Sequence, residues 1–367
     1  MMSDPRLIEL ESLNGLKLKS YCTGLKKITK LSVINELPEV VGQKPRLVIG
    51  HGSNIFFLST KKNPLSSIVL LNQLKGIEKV SENKQTICIR CHAGENWNDF
   101  VSWTLKKEIG GLENLALIPG SVGAAPIQNI GAYGVEIGDR IDAVNVWDFK
   151  LKKIIKFTAK DCAFEYRNSI FKKQMLEEGW KKTRYLILSV DFLLWPENKS
   201  PLVTHYPGIQ EEINGELSPK KIADAIKKIR IKKLPDSNQL PNIGSFFQNP
   251  RINVMLAEKL KKQFPKMPEF EKTNSSSKVS AAWLIDKVNF KGYKIGDAGI
   301  YIKHSLIVVN HGNARPIDVL KLAQKIQKTV LDTFGIWLIP EPSIISSFEK
   351  IASSLMSPRK QIYIPRN

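Results

Sequence analysis

The sequence predicts an α+β fold that divides into two or three lobes. Up to about residue 195, short apolar runs alternate with turn residues, as at residues 47–49 and 55–58, and this pattern is typical of strands. Beyond Trp195-Pro196 the apolar residues recur at helical spacing instead. With 367 residues, 42% of them hydrophobic, the chain can bury a sizeable core. We therefore expect a strand-rich part followed by a more helical one.

The first part contains one clear helix signal among its strands. Residues 1–40 are poorly patterned and are assigned only as a leading segment. Short strands are expected over residues 47–71 and 75–94. Asn96 is a good N-cap, because Trp97, Phe100 and Val101 follow on one helical face, and Gly110-Gly111 would end that helix. Further strands are expected at residues 143–149, 154–157 and 185–194.

The second part carries stronger helix signals. Ser218-Pro219 is typical of a helix start, and residues 254–264 and 281–288 show helical patterns of their own. Residues 300–310 are predicted to form a hairpin or paired strands. Pro316 opens a long amphipathic helix that Gly335 should end. From about residue 347 onward the chain is a weakly basic tail.

Composition excludes several classes of protein. No run of eighteen apolar residues and no apolar leader occur, so we expect a cytoplasmic protein without a membrane segment. Four cysteines in this length do not make a disulfide framework. Cys88-X-X-Cys91 lies in an alternating apolar run, and we interpret it as part of a strand, with no metal site expected.

The net charge of +20 raises the possibility of nucleic-acid binding. The lysines are scattered in pairs, as at Lys61-Lys62 and Lys181-Lys182, and form no arginine-rich tract or recognised nucleic-acid module. This distribution indicates solvated faces, and no nucleic-acid partner is expected. A positive field would still attract an anionic nucleotide.

Residues 119–138 form a glycine-rich stretch with five glycines and no lysine. Small side chains allow sharp turns and let backbone N–H groups approach a ligand closely. The alternative is a tight loop that merely connects two elements.

A second glycine loop, Gly50-His51-Gly52-Ser53-Asn54, follows a predicted buried strand. Its successive amides and hydroxyl suit a pyrophosphate. It matches neither the Walker A motif nor the dinucleotide fingerprint, because no Gly-Lys-Ser/Thr follows and no helix pattern opens after Asn54. A phosphate site here would belong to a different fold.

Three polar residues stand out in apolar or turn-like surroundings. They are Arg167 after Tyr166, Ser245 after Gly244, and Glu341 between two prolines. Each has an ordinary alternative: a surface arginine, a turn or cap residue, and a solvated carboxylate at a strand end. Patterns alone therefore indicate an α+β protein that binds a phosphate-bearing ligand.

Eight blocks of residues, in order, resemble the UDP-N-acetylenolpyruvoylglucosamine reductase family, in its form with the longer C-terminal domain. Any one block is weak evidence, but the ordered set is specific. The blocks lie at residues 50–54, 94–97, 111–134, 166–172, 233–235, 244–250, 282–286 and 337–341.

The resemblance implies a vanillyl-alcohol-oxidase/PCMH-type FAD-binding lobe followed by an α/β substrate-binding C-terminal domain. It places the FAD-binding domain at residues 1–215, in two lobes divided near residue 72, the C-terminal domain at 216–346 and the basic tail at 347–367. The implied protein is a monomer. It acts in peptidoglycan precursor synthesis, where NADPH reduces non-covalent FAD and UDP-N-acetylglucosamine enolpyruvate then becomes UDP-N-acetylmuramate.

The resemblance also implies roles for individual residues. Arg167 would stabilise the charge that develops when hydride reaches C3 of the enolpyruvyl group, Ser245 would protonate C2, and Glu341 would lie by the carboxylate. The substrate-binding positions are Tyr206, Lys233 and Asn249, with Arg230 as a further candidate. The FAD-binding positions are Gly50, His51, Gly52, Ser53, Asn54, Pro119, Gly120, Ser121, Gly123, Ala124, Ala125, Ile127, Gly131 and Gly134.

The sequence departs from the family pattern in two places. The early Asn-Thr-Phe-Gly motif is replaced near residues 20–24, and the usual small hydroxyl residues after Gly123 are Ala124-Ala125. Both changes concern FAD binding rather than the proton donor.

Two other functions remain open from the sequence. A related FAD oxidase of a sugar or alcohol would share the glycine loops but react with oxygen. A non-enzymatic polyanion-binding protein would account for the net charge, and its binding would weaken steeply with salt.

Overall fold

The structure is a computed structural model of the chain, and it describes residues 7–37, 42, 44–180, 182–213, 215–348 and 355–356. Most of the predicted basic tail lies outside these residues. The strands, in chain order, are β1 (Ile8–Glu9), β2 (Tyr21–Ile28), β3 (Arg46–Ile49), β4 (Ile55–Leu58), β5 (Leu65–Asn72), β6 (Ile77–Glu82), β7 (Ile87–His92), β8 (Ile109–Gly110), β9 (Gly131–Ala132), β10 (Val135–Glu136), β11 (Ile141–Asp148), β12 (Lys153–Thr158), β13 (Tyr185–Pro196), β14 (Asn242–Ser245), β15 (Arg251–Asn253), β16 (Glu269–Lys272), β17 (Ser276–Val279), β18 (Lys294–Ile295), β19 (Ala298–Ile300), β20 (Ile307–Asn310) and β21 (Ser343–Ser346). The helices are α1 (Trp97–Lys106), α2 (Ile170–Glu178), α3 (Pro219–Lys233), α4 (Val254–Gln263), α5 (Ala281–Lys287) and α6 (Pro316–Phe334).

The chain forms two compact units, and each is built from separate segments. The first contains Cys22–Gly52 and Ser66–Lys232, with the segment that ends at Ile8. The second contains Glu9–Tyr21, Ser53–Leu65 and the chain from Lys233 onward. The sequence predicted continuous domains with a boundary at residue 215. In the structure, α3 belongs to the first unit up to Lys232, and two early segments belong to the second.

The first unit contains a small and a large sheet. The small sheet has the strand order β1-β2-β5-β3, with β3 and β5 parallel. The large sheet has the order β12-β11-β13-β7-β6, and its neighbouring strands are antiparallel. The chain passes from the small to the large sheet after Asn72.

Helix α1 covers one side of the large sheet as its sequence predicts. The Asn96 side chain accepts a hydrogen bond from the Asp99 N–H, which satisfies one of the unpaired donors at the helix start. Trp97 and Phe100 then pack against Phe192 of β13, with ring centroids 6.1 and 5.0 Å apart. Burial of these aromatic rings fixes the helix on the sheet.

The second unit is organised around α6. Gly335, with φ of 69°, ends this helix in the left-handed conformation, as predicted. The buried face of α6 packs with α5 and the sheet β14-β20-β19-β18 in one apolar core. The predicted pairing within residues 300–310 is confirmed, because β19 and β20 are antiparallel neighbours.

Two expectations about local structure were incomplete. The leading segment, described as poorly patterned, contains β1 and β2. Helix α2 was not predicted, because only four of its nine residues are buried and its apolar pattern is weak. Tertiary burial of Phe171 and Met175, rather than periodicity, holds this helix in place.

Candidate active site

The two glycine-rich loops lie against each other in the first unit. A Cβ built on Gly50 would lie 2.1 Å from Ser121 Oγ and 3.1 Å from Ser121 Cβ. The His51 side chain hydrogen-bonds the backbone of Gly120 and Gly94. Burial, and then the charge of Lys75, lower the His51 pKa, so the imidazole is neutral at pH 7. The close approach requires that residue 50 have no side chain.

The loop around Ser121 is held by backbone hydrogen bonds. The Gly123 N–H donates to Ala93 O over 2.9 Å, and a Cβ on Gly123 would lie 2.5 Å from the Ala93 Cβ. A short 3-10 turn spans Val122–Ala124. A cavity of about 30 Å³ lies beside Gly50, Gly123, Ala124 and Ile127.

The cavity itself is far smaller than a dinucleotide, and larger side chains such as Phe171 and Tyr185 also line it. The glycines beside it leave backbone groups uncovered, which is the feature that would let a phosphate-bearing ligand such as FAD approach closely. Other predicted FAD positions have different surroundings. Ala125 is 1% exposed and belongs to the apolar core, whereas Pro119 is exposed. Ser53 and Asn54 belong to the second unit, where Asn54 O accepts from the Ser343 N–H.

The glycine-rich stretch ends in a tight hairpin. β9 and β10 pair antiparallel around Tyr133 and Gly134, whose φ angles are 51° and 83°. Two successive residues with positive φ are characteristic of two-residue hairpin turns that match the twist of the strands. Tyr133 is a bulky residue in this conformation, which is uncommon and is often found at functional sites.

Arg167 lies beside this hairpin. Its guanidinium donates to Gly131 O over 2.9 Å, so it is held at the glycine-rich stretch. Glu165 and Asn168 exchange backbone hydrogen bonds around Arg167, whose φ is 54°. The buried Lys172 donates from Nζ to Arg167 O over 2.9 Å. A strained backbone held by a buried ammonium gives the Arg167 side chain a defined direction.

Ser245 and Glu341 lie close together in the second unit. Ser245 is the last residue of β14 and lies opposite Ile307 of β20. The carbonyl oxygen of the next residue, Phe246, accepts a hydrogen bond from the Glu341 N–H over 2.9 Å. Gln248 N–H donates to Ile339 O, which makes the two segments antiparallel. This pairing places Glu341 opposite Phe246, the residue that follows Ser245, although the two segments are distant in sequence.

The predicted substrate-binding residues divide between the units. Asn249, in the second unit, accepts from the Ala281 N–H at the start of α5. Lys233 is exposed, and its charge is one cause, after burial, of the lowered pKa of His304. Tyr206, in the first unit, is 42% exposed and packs edge-on against Tyr133, with centroids 5.0 Å apart.

Arg230 lies behind these two tyrosines. Its guanidinium donates to the Tyr133 hydroxyl and, over 3.2 Å, to Leu117 O. Burial lowers its pKa, which nevertheless leaves an arginine charged at neutral pH. The Arg230 Nε is buried and has no hydrogen-bond partner among the residues that the structure describes. A buried cation with an unused donor favours a nearby anionic or carbonyl ligand.

The sequence did not single out Tyr133 or Lys172, although both contact predicted site residues. The signal for Tyr133 was a bulky residue directly before Gly134, where a turn is required. The signal for Lys172 was a lysine three residues after the Ser169 N-cap, on the buried side of a short helix.

The Cys88-X-X-Cys91 pair lies within β7, as interpreted from the sequence. Both thiols are buried, and burial raises their pKa values, so neither is a reactive thiolate at neutral pH. Across the part of the chain that the structure describes, no group of three His, Cys, Asp or Glu side chains could hold a metal ion. In the same residues, no helix has the length and apolar character needed to cross a membrane.

Comparison with known proteins relates both units to one family. Residues 41–156 match the family of FAD-binding domains, and residues 235–345 match the C-terminal domain of UDP-N-acetylenolpyruvoylglucosamine reductase. The reductase of Idiomarina loihiensis is 38% identical over 92% of this chain and 96% of its own. This chain belongs to the UDP-N-acetylenolpyruvoylglucosamine reductase family. The predicted resemblance is thereby confirmed, and the protein is an oxidoreductase with an FAD-binding domain.

Two further comparisons agree with this assignment. The reductase of Amoebophilus asiaticus is 41% identical over 82% of this chain and 86% of its own. A reductase structure from Thermus caldophilus, 22% identical, aligns over 93% of this chain and 98% of its own with a TM-score of 0.62. At that identity the likeness supports the fold alone. The predicted α+β fold, with an FAD-binding lobe and a C-terminal domain, is confirmed.

Proposed function

We propose that this protein uses NADPH to reduce UDP-N-acetylglucosamine enolpyruvate to UDP-N-acetylmuramate, as a monomer in the cytoplasm. The observation that carries the proposal is the 38% identity to a curated reductase over 92% of the chain, with both functional domains matched. The geometry supports it, because each predicted catalytic residue has a local structure suited to its role.

FAD would be held by Gly50, Gly52, Gly120, Ser121 and Gly123, whose backbone and small side chains can approach its pyrophosphate. When bound, FAD would supply the redox chemistry, taking a hydride from NADPH and delivering it from N5 to C3 of the enolpyruvyl group. Ala124 and Ala125 carry no hydroxyl group, so Ser121 is left as a side-chain donor beside Gly50.

Arg167 would stabilise the charge that the substrate gains. Hydride addition at C3 leaves negative charge at C2, which spreads into the adjacent carboxylate. A guanidinium fixed by Gly131 O and by its own constrained backbone needs no reorganisation to meet that charge. An arginine also remains charged at every physiological pH.

Ser245 would then protonate C2, and Glu341 would contact the substrate carboxylate. An unassisted hydroxyl is a weak acid, but a carbanion-like carbon is a strong base, which makes the transfer feasible. Glu341 is held next to the Ser245 segment by the hydrogen bond from its N–H to Phe246 O.

The substrate diphosphate and sugar would contact Tyr206, Lys233 and Asn249. Arg230 would lie near an acidic group of the substrate. Lys233 offers an exposed ammonium suited to a phosphate. The Arg230 Nε offers a buried donor that finds no partner in the described part of the chain.

An anaerobic absorbance experiment tests the proposal. The purified, FAD-loaded protein should lose its flavin absorbance on addition of NADPH and recover it only when UDP-N-acetylglucosamine enolpyruvate is added. NADH in place of NADPH measures the cofactor preference. Recovery of the flavin absorbance with oxygen but not with the UDP sugar would instead indicate an oxidase. A protein that binds no FAD would overturn the proposal.

A further inference from the structure

The glycine-rich hairpin and the segment before Tyr206 are joined by one buried side chain. Asn114 is 1% exposed, and its amide donates to Tyr133 O and to Val203 O, each over 2.9 Å. Both acceptors are backbone atoms of irregular segments far apart in the chain. Asn114 therefore acts as a bridge between two loops that belong to no common sheet among the described strands.

The two bridged segments carry the tyrosine pair. Tyr133 packs its ring on Tyr206, and its hydroxyl receives the hydrogen bond from Arg230. The positive φ of Tyr133 costs energy, so its carbonyl needs a strong partner to stay in place. The exposed ring of Tyr206 depends on Tyr133 for packing on its inner side.

We propose that Asn114 is a positioning residue for the binding of the UDP sugar. It holds the Tyr133 turn and the Val203 segment together, so that Tyr206 and Arg230 are in place before the ligand arrives. This inference rests on the proposed function, since it assigns a substrate to the surface that these residues form.

The position itself explains why an asparagine is required. One amide nitrogen must satisfy two carbonyl oxygens in a place that water does not reach, and the two N–H groups of an amide do so at once. A leucine has nearly the same shape but no donor, and would leave both oxygens unsatisfied. A serine hydroxyl could satisfy one of them.

The test compares Asn114→Leu with Asn145→Leu in FAD-loaded protein. Asn145 also donates two amide hydrogen bonds in the first unit, to Ser189 Oγ and Asp191 Oδ1, but on the large sheet. Calorimetric titration with UDP-N-acetylglucosamine enolpyruvate should give an approximately ten-fold weaker Kd for Asn114→Leu, since the freed loops populate the binding conformation less often. Asn145→Leu should leave the Kd unchanged at a similar loss of Tm.

A double-mutant cycle separates positioning from general destabilisation. If Asn114 acts through Tyr206, the effect of Asn114→Leu on the Kd should largely disappear in a Tyr206→Ala background. Asn114→Ser, which keeps one donor, should fall between wild type and Asn114→Leu, and it serves in the cycle if the leucine variant does not fold.

Two results would overturn the inference: equal Kd changes for Asn114→Leu and Asn145→Leu, or fully additive effects with Tyr206→Ala. Failure of the proposed function would look different, because wild-type protein would then show no binding of the UDP sugar and no return of flavin absorbance.

Discussion

Substituting Gly50 by alanine tests whether the contact between the two glycine loops is required for folding and FAD binding. The new Cβ would lie 2.1 Å from Ser121 Oγ and 3.1 Å from Ser121 Cβ. An ordinary contact needs about 3.4 Å or more, so the hydroxyl must rotate away and the loops must also separate by several tenths of an ångström. Overpacking of this size costs about 1–3 kcal/mol of unfolding free energy.

The expected change is measurable by two assays. For a unit of this size, about 2 kcal/mol corresponds to a fall in Tm of roughly 4–8 °C. Because the displaced loops line the proposed FAD site, the purified variant should also retain less FAD, which the ratio of flavin to protein absorbance measures. Gly24→Ala is the matched control, since its Cβ would meet only ordinary contacts, 3.5 Å or more, with Ile68.

The double variant Gly50→Ala/Ser121→Gly completes the test. Removal of the Ser121 side chain eliminates the two closest contacts and leaves only Ala124 Cβ at 4.0 Å. Much of the loss in Tm caused by Gly50→Ala should then be recovered relative to Ser121→Gly alone. An unchanged Tm and FAD content in Gly50→Ala, or no recovery in the double variant, would refute the reasoning.

Three further predictions concern catalysis and pH. Ser245→Ala should spare flavin reduction by NADPH but slow reoxidation by the UDP sugar by roughly 10²–10⁴, and stopped-flow traces with both steps slowed equally would contradict its role. Burial raises the pKa of Asp148, but hydrogen bonds from Arg184 and backbone amides outweigh it, so the net pKa is lowered. Asp148 therefore stabilises the fold above its unfolded pKa of about 3.9, and acid unfolding monitored by circular dichroism should become less steep below that pH in Arg184→Gln. Burial raises the pKa of Glu113, so the contribution of Glu113 to the free energy of unfolding has the opposite sign. Stability should fall as the pH rises from about 4.3, the unfolded pKa, through the folded pKa. Glu113→Gln should abolish that fall while it keeps the hydrogen bond from the Gly111 N–H.

The two pH effects differ although both carboxylates are almost fully buried. Two Arg184 nitrogens donate to Oδ2 of Asp148, over 3.0 and 2.8 Å, and two backbone N–H groups donate to its Oδ1, so the charged form is favoured. Glu113 has mainly backbone N–H partners, and Arg140 acts on it only at longer range. At Glu113, burial therefore outweighs the hydrogen bonds and the charge that favour the ionised carboxylate.

The elements that could be predicted from the sequence are those with local signals. Asn96 caps α1, Ser218 precedes α3, and Pro316 and Gly335 mark the ends of α6, because caps and terminators act within a few residues of the element. Helix α2 has only a weak periodic signal, and the leading strands have none. Helix α2 and the leading strands form because they pack against distant segments of the chain.

The candidate site also has features that local sequence signals predict and features that depend on contacts between distant segments. Glycine content and the ordered family blocks predicted which residues form the site, including Ser245 and Glu341. No spacing in the sequence predicts that Phe246 and Glu341 share a backbone hydrogen bond. Likewise, the bridge from Asn114 to Val203 joins segments with no common pattern. Such pairings depend on long-range packing, which a local reading of the chain does not contain.

The sequence by itself determined the family, the fold class, the glycine loops and the chemistry-bearing side chains, because these depend on residue type and order. The tertiary structure alone decided that early segments join the second unit, that Gly50 meets Ser121, and that Tyr133 and Arg167 adopt positive φ. The reason is physical. An arginine with positive φ costs energy in isolation, and the hydrogen bond to Gly131, 36 residues away in the chain, is one of the contacts that offset that cost.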